Sequence, residues 1–122
     1  MENVMSKELQ MPQAVKSAIE AINHHDAEQM LSHFTDTAEI TDEGRDYRGI
    51  EAIREWFETT IVGGNISMKV LNSIDRDGKT IVTAEIDGSF DKTGLPDPFV
   101  MDMHYVVTNS QISQISFELR DE

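Results

Sequence analysis

Asp42 closes the short apolar alternation Ala38, Ile40, Asp42 in the stretch AEITDEGRDYRG. In an extended segment alternate residues share a face, so a carboxylate that continues the face of Ala38 and Ile40 points where they point. If those two face the core, Asp42 stands in a pocket wall, where a carboxylate can serve as a general base. The plainer alternative is a turn, since Asp is favoured at the start of turns and Gly44 follows. Tyr105 belongs to a strand whose inward set reads Phe99, Met101, Met103, Tyr105 and Val107. Its hydroxyl is a candidate hydrogen-bond donor to a ligand oxygen, the alternative being a core aromatic with its hydroxyl at the rim. His33 borders the apolar stripe of Met30 and Phe34, where a neutral imidazole can act as acid or base or can simply pack.

Other polar groups attract plainer readings. Arg45 and Arg48 flank Tyr47, and an Arg at a pocket mouth can clamp a carboxylate or pair with Asp42. Ordinary surface pairing is the alternative in a chain with 23 acidic residues. His24 and His25 precede Asp26 in a turn, and adjacent histidines there do not converge as metal ligands must. No metal and no cofactor are expected. His104 and Asp102 face away from the inward set of their strand. Trp56 and Phe57 are neighbours on one helix, so Phe57 is assigned to the core and Trp56 to the pocket edge or a subunit contact.

These side chains need elements to hold them. Pro12 suits a first helical turn, and Val15, Ala18, Ile19 and Ile22 repeat at helical spacing, predicting a helix over 12–23. Asp26 reads as the N-cap of a second helix with the stripe Ala27, Met30, Leu31 and Phe34. The alternation from residue 37 predicts a strand. After a connection over DEGRDYRG, Ile50, Ile53, Phe57 and Ile61 mark a third helix that Gly63 and Gly64 stop. Four strands follow, over 66–75, 80–90, 98–108 and 112–119. Asp77–Gly78 is the turn signal of the first pair, NSQ that of the second, and Gly94, Pro96 and Pro98 punctuate the connection between them. Residues 1–10 read as a flexible lead-in and 11–122 as one domain, an α+β fold of three helices on a curved, mainly antiparallel sheet.

Ten Lys and Arg against 23 Asp and Glu give a net charge of −13 over 122 residues. Such a surface repels phosphate backbones and anionic lipid headgroups, so nucleic acid and membrane partners are not expected. No run of about 18 apolar residues is present, the N-terminus has no basic start with an apolar run behind it, and there is no Cys. A cytoplasmic protein is the resulting expectation.

The segments AINHHDAEQMLSHFTDTAEI and YRGIEAIREWF, with the element order around them, resemble the NTF2-like superfamily in its SnoaL-like and ketosteroid-isomerase-like branch. The resemblance covers about residues 11–120 and implies a cone with a pocket at its open end. It implies a ligand wall drawn from Ala18, Ile22, Phe34, Trp56 and Phe57 on the helical side. From the strands it draws Ile40, Phe99, Met101, Met103 and Phe117. It also implies a homodimer through the outer sheet face.

In that branch an Asp base moves a proton while a Tyr and a protonated acid stabilise the enolate oxygen. The resemblance puts Asp42 at the base position, Ala18 at the Tyr donor and Met103 at the second acid. Loss of one such donor typically lowers rate by about 10² to 10³, so steroid isomerisation is not expected. An epoxide-hydrolase-like set would need a second inward Asp, which the sequence does not offer. Two readings remain. One is a small, mostly apolar ligand with isomerase or lyase chemistry assisted by Asp42. The other is a non-catalytic ligand-binding or dimerisation domain without its catalytic set. The protein-binding use of the fold, as in nuclear transport factor 2, has no docking motif to support it.

Overall fold

A computed structural model describes residues 11–76, 79–95 and 98–119. The lead-in over 1–10, the Asp77–Gly78 turn signal and Pro96 lie outside the described residues. The first helix, α1 (Gln13–His24), starts at Pro12, whose carbonyl accepts the backbone N–H groups of Val15 and Lys16 at 3.0 Å. Its buried face carries Val15, Ala18, Ile19 and Ile22, the set given by helical spacing. It stops at His25, which takes the left-handed conformation (φ 57°) more often filled by Gly. Asp26 then caps α2 (Ala27–Leu31), its carboxylate accepting the Gln29 N–H at 3.1 Å.

The helix stripe does not extend to Phe34. Ser32 and His33 form a turn and Phe34 opens β1 (Phe34–Asp42), in register with Ile112. The expected connection after Asp42 is also corrected. Glu43 and Gly44, both at positive φ (54° and 80°), make a two-residue hairpin turn into β2 (Arg45–Arg48). With both central residues at positive φ, the turn's twist matches that of the paired strands.

Helix α3 (Ile50–Trp56) runs directly into a wider π-helical segment, Phe57–Val62. Its bonds reach back five residues, as in Gly63 N–H to Glu58 O at 3.0 Å. Then come β3 (Ser67–Arg76), β4 (Lys79–Asp87), β5 (Val100–Thr108) and β6 (Gln111–Leu119). The sheet order is β2-β1-β6-β5-β4-β3. β1 lies parallel to β6 and every other pair is antiparallel. The α+β cone expected from the sequence is therefore present, with helices packed on one curved six-stranded sheet.

Two side chains fasten α1 to the edge strand. The Asn23 amide donates to Met68 O at 3.0 Å and accepts Met68 N–H at 2.7 Å, and His25 Nε2 lies 3.0 Å from Ile66 O. The Asn23 pair gives the outermost strand a partner for an otherwise open backbone edge. Among the described residues no helix is long and apolar enough to cross a membrane.

Candidate functional site

β1 delivers Asp42 as the alternation requires. Ala38 and Ile40 are fully buried, and Asp42 continues their face half-buried at the end of the strand. The Trp56 indole N–H donates to Asp42 Oδ2 at 2.9 Å. Trp56 is itself 1% exposed and packs on Phe117, with ring centroids 5.6 Å apart. One carboxylate oxygen is thus fixed by a rigid donor. No described group donates to the other.

Asp42 and Trp56 form part of the wall of a cavity of about 380 Å³. Trp56, Phe90, Phe99 and Phe117 supply aromatic surface. Ile61, Ile66, Met68, Ile86 and Met101 supply aliphatic surface. The polar groups are few: Asp42 and Thr60, with Glu43 from the β1–β2 turn and Asp91 and Thr93 from the segment after β4. This is the usual composition of a small-molecule site, mainly apolar with a small number of placed polar groups.

The end of the π-helical segment and the segment after β4 meet at the cavity. Ser89 N–H donates to Gly64 O at 2.8 Å. A Cβ added at Gly88 would lie 2.6 Å from that same oxygen. Only Gly permits this approach, which brings Phe90 and Asp91 to the wall. Phe90 then packs edge-on against Phe99 at 5.8 Å. The Thr93 N–H, first among its partners, holds the Asp91 carboxyl below its ordinary value of 3.8, so Asp91 is ionised at neutral pH.

Of the expected ligand wall, the cavity receives Trp56, Phe99, Met101 and Phe117 together with Asp42. It does not receive Ala18, Ile22, Phe34, Ile40, Phe57 or Met103. Each of these is at most 3% exposed and belongs to the close-packed core. Trp56 and Phe57 are both buried, with edge-to-face rings at 6.4 Å, but Trp56 borders the cavity while Phe57 belongs to the core.

Tyr105 is not a pocket donor. It is 0% exposed and its hydroxyl reaches Met103 Sδ at 3.7 Å. Burial alone pushes that hydroxyl far above its ordinary value of 10.0. His33 lies in the turn after α2, away from the cavity, where its carbonyl accepts Ile112 N–H at 2.7 Å. Arg45 pairs in register with Asp42 and so shares its sheet face. Among the described residues it makes no ion pair with Asp42, and Arg48 instead meets Glu39 at 3.2 Å. His104 is on the outer face, with Nε2 3.1 Å from Glu118 Oε1. His24 is exposed, and no group of three His, Asp or Glu gathers among the described residues to hold a metal.

Glu43, Thr60, Phe90, Asp91, Thr93 and Leu95 line the cavity without having been anticipated. Two signals point to them. Thr60 follows Trp56 by one helical turn, and the long polar connection after β4 is the kind of loop that carries function on a rigid scaffold.

A sequence profile described as "SnoaL-like domain" matches residues 15–115. No curated protein matches the chain. Solved structures with the same fold include a Sinorhizobium meliloti protein proposed as a polyketide cyclase, at 20% identity and TM-score 0.81 over 88% of this chain and 95% of that one. Bal32a, from a soil-derived mobile gene cassette, aligns at 17% identity and TM-score 0.76 over 89% and 88%. A Kribbella flavida protein proposed as a ketosteroid isomerase aligns at 8% identity and TM-score 0.75 over 91% and 78%. At these identities the likeness is one of fold.

Proposed function

The chain belongs to the SnoaL-like domain family, and from that premise we propose that its cavity binds a small, mostly apolar molecule on which Asp42 acts as a proton-transfer base, in chemistry of the isomerase or lyase type. The observation that carries this reading is the pairing of a half-buried carboxylate with a fixed donor at the wall of an apolar cavity. With Oδ2 held by Trp56, the remaining oxygen is the one available to take a proton from a carbon acid. The fold neighbours proposed as a polyketide cyclase and a ketosteroid isomerase add support for a small-molecule role. Ala18 and Met103 bring no hydrogen-bond donor, so the reaction is not steroid isomerisation by an enolate held between two acids.

The test is a thermal-shift screen with small aromatic and terpenoid ketones, paired with deuterium uptake at their α-carbons in heavy water. A binding ketone should raise the melting temperature of both the unaltered protein and Asp42→Asn, since Asn keeps an acceptor for the Trp56 N–H. Uptake should fall about 10²-fold or more in the variant. Stabilisation with no uptake above background would favour the second reading, a binding domain without catalysis, for which the missing donors at Ala18 and Met103 are the specific support. No stabilisation by any ketone counts against a ligand cavity of this class. As in the sequence-based expectation, the protein is also proposed to be a homodimer joined through the outer sheet face.

A further inference from the structure

We propose that the molecule held in this cavity carries a positive charge: an apolar ring body bearing an amine, held as an ammonium against the carboxylates of the wall. The inference rests on the small-molecule reading of the cavity and adds the charge of its ligand.

Among the described residues, the ionisable groups in the wall are the acids Asp42, Glu43 and Asp91, the last two exposed, and no Lys, Arg or His stands with them. Asp42 is the decisive one. It is half-buried, one of its oxygens is bonded to a neutral donor, and no cation lies within 4 Å of it among the described residues. A partly desolvated carboxylate without an ion-pair partner among the described residues is stabilised by a cationic ligand and destabilised by an anionic one.

The aromatic surface agrees. Trp56, Phe90, Phe99 and Phe117 present rings to the same space, and ring faces attract ammonium groups. Phe90 already has the Lys92 ammonium 5.5 Å from its centroid.

Neighbouring cations do not offset the acids. Lys92 is held by Asp87 at 2.7 Å, and Lys69 sits opposite Glu85 in the β3–β4 register. Both line an adjoining groove that shares Met68, Ile86, Leu95 and Phe99 with the cavity. Arg45 shares the face of Asp42 but is exposed and outside the wall. The whole-chain charge of −13 adds a field that concentrates cations and repels anions.

The experiment compares three probes with one ring body, naphthylmethylamine, naphthalenemethanol and naphthoic acid, by calorimetric titration at neutral pH. The amine should bind about tenfold or more tightly than the alcohol, the acid should bind worst, and the preference should shrink as salt is raised. Asp42→Asn should remove most of the amine preference and leave alcohol affinity in place. Glu43→Gln and Asp91→Asn should each remove a smaller share, with circular dichroism verifying the fold of every variant. Equal affinity for amine and alcohol overturns the charge assignment while the cavity reading stands. Tightest binding by the acid overturns it as well and directs attention to Arg45. Binding of none of the three removes this inference and, if the ketone screen is also blank, the cavity reading with it.

Discussion

At the scale of single residues, the hydrogen bond from Trp56 to Asp42 separates a site from a turn. An Asp at a strand end is commonplace. An Asp with Oδ2 fixed at 2.9 Å by a buried indole, at the wall of an apolar cavity, has a set direction and a free oxygen. Tyr105 shows the opposite outcome. Its hydroxyl lies in the core and meets only a thioether among the described residues, so Tyr105→Phe should change stability at neutral pH by no more than about 1 kcal/mol and leave ligand-induced thermal shifts untouched. Because burial raises its folded-state value above the ordinary 10.0, the unfolded chain ionises first as pH rises. The stability that Tyr105 contributes is therefore present below pH 10.0 and declines above it. Denaturant titrations across that range should show an alkaline loss that Tyr105→Phe flattens, and an equal loss in the variant would contradict the assignment. The sequence sets the face of Asp42 through a period of two. It could not pair Asp42 with Trp56, 14 residues away, because that contact depends on how α3 crosses β1.

At the scale of elements, the widened segment Phe57–Val62 and its junction with Gly88 shape the cavity. A methyl group at Gly88 would lie 2.6 Å from Gly64 O and 3.0 Å from side-chain atoms of Ile66 and Phe90, both of which line the cavity. Since the nearest atom is backbone, the two segments must part. Gly88→Ala is expected to destabilise the protein by about 1–3 kcal/mol in urea denaturation and to weaken any cavity ligand, and a variant of unaltered stability would show that the junction is loose. Helix and strand existence was legible from periodicity, as with Val15, Ala18, Ile19 and Ile22 on α1. The π-helical widening was not legible, because an apolar stripe at Ile53, Phe57 and Ile61 fits an ordinary helix equally well. β2 was missed since Arg45–Arg48 carries no apolar alternation and exists as a strand only through pairing with β1.

At the scale of the whole molecule, one face of the sheet holds the core, and among the described residues the other carries largely half-buried or exposed side chains. Ile74 is 42% exposed on that outer face and lies in register with Ile81. The proposed homodimer predicts that two 13.8 kDa chains sediment together and that Ile74→Lys releases folded monomers. An unaltered chain that stays monomeric at all accessible concentrations would sink that proposal. With a charge of −13, the assembly should strengthen as salt screens the repulsion between copies. By itself the sequence determined the fold class, the order of elements apart from β2, and the face that Asp42 shares with Ala38 and Ile40, because these follow from local period, turn chemistry and the resemblance carried by residues close together in the chain. Only the tertiary structure decided which apolar residues line a cavity and which fill the core. Met101 and Met103 share a strand face and a side-chain type, yet one meets open space and the other is fully buried. That difference is set by what distant parts of the chain place above each of them, and no local pattern records it.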